Sequence, residues 1–157
     1  MLRRFFEMVP ILAVPIALYA LFALMLSGGD GVETFAQGIE KPLTFITLPS
    51  GAPWAVSGGD LLVLMGLVIL FFELTRGVGV SPYAIVHHTL AVLLALGCLG
   101  AFIAIDAFST SSFFLLTVMC WLDMVGGVIF NIASATAGGG AGRGKGRGHS
   151  AYDDYEN

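Results

Sequence analysis

The sequence predicts an all-α membrane protein: a four-helix transmembrane bundle with its N-terminus and C-terminus both cytoplasmic. Three observations carry that prediction. Hydrophobic residues make up 57% of the 157 and charged residues only 11%, against about 25% charged in an average soluble domain. The apolar residues fall in four long runs rather than scattered along the chain, and mean hydropathy is +0.88. The basic residues, finally, lie on one side of those runs.

The first span covers about residues 5–26 and is apolar apart from Glu7. Pro10 and Pro15 lie inside it. Neighbouring helices can satisfy the backbone groups that a proline frees, so a kink is expected rather than a stop. The run exceeds the ~7–15 apolar residues of a secretory signal, and no A-x-A site precedes Gly28. An uncleaved anchor is the expectation.

The loop over residues 27–55 follows. Lys41 to Pro49 reads KPLTFITLP, with Thr44 to Leu48 as a short extended piece between two prolines. Ser50-Gly51-Ala52-Pro53-Trp54 turns the chain back, and Trp54 suits an interfacial anchor. This loop is read either as a cap for a partner or, more plainly, as a connector lying on the lipid.

The second span, about 56–75, opens at Gly58, Gly59 and Asp60. It reaches the ~20 residues needed to cross the hydrocarbon only with its polar flanks. A tight turn from Thr75 to Pro82 leads to the third span, about 83–105. Another from Asp106 to Thr110 leads to the fourth, about 111–135. Short turns make neighbours antiparallel. Residues 1–137 thus read as one membrane domain, and 138–157 as a flexible cytoplasmic tail, first glycine-rich and basic, then acidic.

Orientation follows from lysine and arginine. Arg3, Arg4, Arg76, Arg143, Lys145 and Arg147 share one side, leaving only Lys41 on the other. The opposite loops carry Asp30, Glu33, Glu40, Asp60 and Asp106. A bacterial inner membrane is the expected location, and the lipid bilayer the first partner. The Gly-Arg alternation of the tail is read as setting topology and attracting anionic lipid, so no nucleic-acid partner is expected.

Ionisable residues within a span are costly and point to function. The candidates are Glu73, His87, His88 and Asp123, with Asn131 on the same face as Asp123. On the fourth span Cys120, Asp123, Gly127, Asn131 and Ser134 recur at helical spacing. On the third, Ala84, His88, Ala91, Ala95, Cys98 and Ala101 do the same. Small residues let membrane helices approach closely, so these stripes are expected to meet with His88 and Asp123 turned inward. At ~1.5 Å per residue, Glu73, the histidines and Asp123 would form a ladder rising from the cytoplasmic side. Such a ladder suits a proton or cation path; the plainer alternative is a polar contact that fixes helix register. Adjacent histidines diverge by about 100° on a helix, so both do not readily bind one metal. A bis-histidine haem would need His149 in the tail. No cofactor is expected, and the metal question stays open. Cys98 and Cys120 are expected as two buried small residues.

No G-x-S-x-G, H-E-x-x-H or phosphate-binding glycine loop occurs, so the reading leans away from an enzyme. Ser50 to Trp54, Gly59 to Leu64, Phe72-Glu73 leading to Arg76-Gly77, His88, Ser112 to Leu116 and Leu122-Asp123 together form a recognisable pattern. Over Ser50 to Ile132 the chain resembles a group of small four-helix inner-membrane proteins of Gram-negative bacteria with no assigned activity. That group usually ends its fourth helix in a short Arg-rich stop, whereas this chain carries a longer tail. The resemblance implies fold and location and supplies no activity. The leading expectation is a non-catalytic accessory subunit or scaffold, joined to a membrane-protein partner or to further copies of itself. Small-x-x-x-small pairs at Gly97, Gly100, Ala101 and Ala104 motivate it. The competing expectation is a small proton- or cation-coupled transporter or channel using Glu73, His88 and Asp123.

Overall fold

The computed structural model describes residues 9–26, 32–76 and 82–141; at 26, 32–34, 76, 82–85, 131, 134–135 and 137–141 it describes the backbone alone. The chain is mostly helical. Its elements are α1 (Ala13–Leu26), α2 (Val32–Glu40), β1 (Pro42–Thr47), β2 (Pro53–Ser57), α3 (Gly58–Arg76), α4 (Pro82–Ala104), a short 3-10 turn (Asp106–Phe108) and α5 (Ser111–Ala141). Among the described residues, three helices are long and apolar enough to cross a membrane, over Gly58–Thr75, Val86–Ala104 and Ser111–Phe130. The apolar stretch Ala13–Met25 is shorter. α5 packs most extensively against α4 and α3, and α1 lies against α2, α3 and α5.

The first run differs from the expected single kinked span over 5–26. Its helix begins only at Ala13, after a turn in which Ala13 N–H bonds Pro10 O at 3.0 Å and Val14 N–H bonds Ile11 O at 2.9 Å. Pro10 stays outside the helix and Pro15 falls in its first turn, where a missing N–H removes no intrahelical bond. Residues 5–8 lie outside the described part.

The expected 27–55 loop holds more structure than predicted. α2 is amphipathic and buries Phe35. The extended piece expected at Thr44–Leu48 belongs to a hairpin in which β1 and β2 pair antiparallel, Phe45 opposite Ala55 and Ile46 opposite Trp54. Its turn is Pro49-Ser50-Gly51: Gly51 N–H bonds Leu48 O at 2.8 Å, and Gly51 takes φ 81°, a conformation that glycine adopts at no steric cost. Because Trp54 to Ser57 belong to β2, α3 starts at Gly58 rather than near residue 56.

Two helix starts at the hairpin end are closed by side chains. Ser57 Oγ accepts Asp60 N–H at 3.1 Å, and Asp60 Oδ2 accepts Ser57 N–H at 2.8 Å, a reciprocal capping box for α3. Thr110 Oγ1 accepts Phe113 N–H at 3.2 Å and caps α5, while Glu40 Oε1 accepts Ser112 N–H at 3.2 Å and Ser112 Oγ–H at 2.8 Å. The buried Tyr19 ring stands edge-on to Phe35 at 5.3 Å and tilted against Phe113 at 4.8 Å. Its hydroxyl donates to Ala107 O at 3.1 Å and pairs with Thr110 Oγ1 at 2.6 Å.

α5 outruns its expected end at 135 and continues past 137, where the tail was expected to begin, to Ala141. Ala133, Ala135 and Ala137 are strong helix formers that lead into Gly138–Gly140, Ala141 follows them, and intrinsic preference is a weak constraint in any case. Residues 142–157 lie outside the described part.

Candidate functional site

Three helices bring the ionisable residues together in the half of the bundle away from the hairpin. Glu73 lies in the last turn of α3, His87 in the second turn of α4 and Asp123 in the fourth turn of α5. One imidazole nitrogen of His87 and one carboxylate oxygen each from Glu73 and Asp123 lie within 4.8 Å of one another. His87 and Asp123 are buried and Glu73 is half-buried. Glu73 Oε2 and His87 Nδ1 are both shut away from solvent.

A fourth segment reaches the same place. Glu73 Oε1 accepts a short hydrogen bond from Ile11 N–H, just before α1 begins. The first N–H groups of a helix lack intrahelical partners and carry its partial positive charge, so a carboxylate there both closes and stabilises the end. Glu73 therefore has one oxygen turned to α1.

Small residues make the convergence possible. A side chain at Gly126 would bring its first carbon to 2.5 Å from Leu74 Cδ2, and one at Gly127 would overlap the His88 ring. Further along, a carbon added at Gly66 would meet Leu116 Cδ2 at 2.8 Å. A cavity of about 30 Å³ remains, lined by Glu73, His87, His88, Asp123, Gly127 and Phe130 among others.

The ladder expected from the sequence is thus a cluster. With the fourth span ending at Ala135, Asp123 would lie about 18 Å deep, but the candidate membrane span of α5 among the described residues is Ser111–Phe130. Counted from Phe130, Asp123 is about 10 Å deep, beside His87 at about 8 Å from Pro82 and Glu73 at about 5 Å from Arg76. The inward histidine also differs: His87 joins the cluster, whereas His88 is half-buried against Gly127. Helical phase gives the reason. With ~100° per residue, Ala91 stands about 40° from His87 and about 60° from His88, and the buried stripe runs His87, Ala91, Ala95, Cys98. The two rings stand nearly perpendicular, centroids 5.7 Å apart. The side chains of Arg76 and Asn131 lie outside the described part.

Cys98 and Cys120 are buried as expected and are free, but they are not separate: their thiols are neighbours between α4 and α5. Toward the hairpin the interior beyond Asp123 is apolar, built from Met119, Leu116 and Phe113 on α5, Ala95 on α4 and Leu70 on α3. Buried Thr117 turns its hydroxyl to Phe113 O at 2.9 Å. Among the described residues the cluster continues toward the hairpin only as the Cys98 and Cys120 thiols and the Thr117 hydroxyl, with no further buried carboxylate or imidazole.

Chemically, two carboxylates and an imidazole in one buried place can share protons or hold a cation. No family model, curated protein or solved structure matches this chain.

Proposed function

We propose that this chain is a membrane protein that binds a cation inside its helix bundle, loaded from the end opposite the hairpin, and serves as a non-catalytic subunit rather than a channel. The convergence of Glu73, His87 and Asp123 from three helices carries the reading. Ionisable side chains in hydrocarbon are stable only when paired or neutralised. The apolar interior between this cluster and the hairpin argues against a continuous ion path. The distribution of Arg3, Arg4, Arg76, Arg143, Lys145 and Arg147 supports a bacterial inner membrane with the cluster nearer the cytoplasm.

The test is ligand-linked stability. Thermal unfolding of purified protein in mild detergent is followed against pH and against alkali, alkaline-earth and transition-metal cations. A cation that binds only the folded state stabilises it by RT ln(1 + [L]/Kd), about 2.7 kcal/mol at a hundredfold excess over Kd. Wild type responds to at least one cation and Asp123→Asn does not. A wild type indifferent to every cation, protons included, refutes the reading.

A second reading, an accessory subunit docked through α4, has its own support. A Cβ added at Gly97 or Gly100 would point into open space, and both glycines lie beside the exposed Leu93, Leu96 and Ile103. Small residues on such a face allow close approach of another helix. Gly100→Leu then abolishes recovery of a stoichiometric partner or oligomer in mild detergent, and a wild type that runs as a monomer argues against this reading.

A further inference from the structure

We propose that Glu73, His87 and Asp123 form a binding site for a divalent transition-metal ion of the zinc class, held between α3, α4 and α5. This rests on the reading above and specifies the ion.

The donor set selects the metal. Calcium takes about six to eight oxygen ligands, and magnesium keeps most of its water. A site with an imidazole nitrogen and two carboxylate oxygens suits zinc, iron and their neighbours instead. Bonds of about 2.0–2.2 Å place the ligands of a tetrahedral ion about 3.4 Å apart. The three donor atoms lie within 4.8 Å of one another, so binding draws them in by about 1 Å or less on each side chain, a displacement that side-chain rotation supplies.

Charge selects the valence. Glu73 and Asp123 bring two negative charges to a buried place, and His87 binds metal in its neutral form. A divalent ion brings the group to neutrality. An alkali ion leaves one negative charge in hydrocarbon, where an uncompensated charge costs several kcal/mol.

The surroundings fit the same occupant. The cavity of about 30 Å³ beside the three donors has room for one water. That gives three protein ligands and one exchangeable position, the arrangement of an open zinc site. Ile11 N–H holds Glu73 through Oε1. Ligating carboxylates are commonly fixed in this way by an outer hydrogen bond. His88 stands with its ring perpendicular to that of His87 and packs on Gly127, so it lines the cavity without completing the set.

The experiment uses the full chain in mild detergent, stripped with chelator and titrated with Co2+ and then with Zn2+. Four-coordinate Co2+ absorbs intensely in the visible, whereas the hexa-aqua ion is pale. One equivalent of Co2+ is expected to give the intense spectrum, and Zn2+ to displace it. Millimolar Mg2+ or Ca2+ leaves it unchanged. Glu73→Gln and His87→Gln each weaken binding at least tenfold, while His88→Ala and His149→Ala retain it. Far-UV circular dichroism confirms that each variant is folded. If Glu73→Gln or His87→Gln fails to fold, Asp123→Asn replaces it. The proposal is overturned if no intense spectrum appears, if Mg2+ displaces Co2+ as readily as Zn2+ does, or if folded ligand variants bind as wild type. Stabilisation by protons or alkali ions alone overturns the metal and leaves the cation reading standing. Indifference to all cations overturns both.

Discussion

Glu73 faces two ways, and its two oxygens can be tested separately. Oε1 accepts Ile11 N–H at the start of α1, across a sequence separation of 62. A hydrogen bond to a charged group contributes about 1.5–3 kcal/mol, and a carboxylate at a helix N-terminus a further ~0.3–1 kcal/mol. Glu73→Ala removes both terms and leaves the Ile11 donor without its acceptor, so a loss of about 2–4 kcal/mol is expected. Glu73→Gln keeps an acceptor oxygen in the same place. Charge-assisted bonds are about twice as strong as neutral ones, so the glutamine forfeits about half of that stabilisation. It also removes one of two neighbouring carboxylates, which returns part of the loss in chelator-treated protein. Unfolding in mixed micelles of mild and denaturing detergent, followed by circular dichroism, gives the ordering. Wild type and Glu73→Gln should lie within about 1–2 kcal/mol of each other, with Glu73→Ala clearly below both. Equal stability of the alanine and glutamine variants would refute the capping role.

Further outcomes follow from the same geometry. Tyr19→Phe keeps the buried ring and removes the hydroxyl that meets Ala107 O and Thr110 Oγ1; it should cost about 1–3 kcal/mol in the same unfolding assay. Ser57→Ala breaks the capping box of α3 and should cost about 1 kcal/mol, with no change in cation response. Gly127→Leu places a side chain where the His88 ring lies, so it should lower stability by about 1–3 kcal/mol and shift the His88 ring resonances in NMR spectra of the detergent-solubilised protein.

Three of the four expected spans were legible because hydrocarbon demands long apolar runs: α3 and α4 fall within one or two residues of where the sequence put them, and α5 starts at the expected residue, though its apolar stretch and its helix end about five residues before and six after the expected 135. The candidate site was legible as a set of residues for the same reason: Glu73, His87 and Asp123 are conspicuous in such company. Their arrangement was not. Choosing between His87 and His88 needs the phase of a helix against two neighbours, and the stripe of alanines admits either until the packing is known. The β-hairpin was visible as one strand only, because its second strand, Pro53–Ser57, was divided between the returning turn at Ser50–Trp54 and the start of a span near 56. α2 was missed because it is only nine residues long, polar and with a glycine inside it, so no long apolar run marks it. Glu40 read as a loop charge marking the outer side. Its role at the start of α5 depends on a contact 72 residues away, which no local pattern encodes.

The polar contacts of α1 also set a timetable. Glu73 receives Ile11 from a position 62 residues earlier, and Tyr19 meets Thr110 across 91. At about 5–20 residues per second, the ribosome needs roughly 5–20 s after making Tyr19 to deliver the hydroxyl it bonds. During that interval α1 is complete but has nothing to clasp, and its polar contacts close only when the start of α5 arrives.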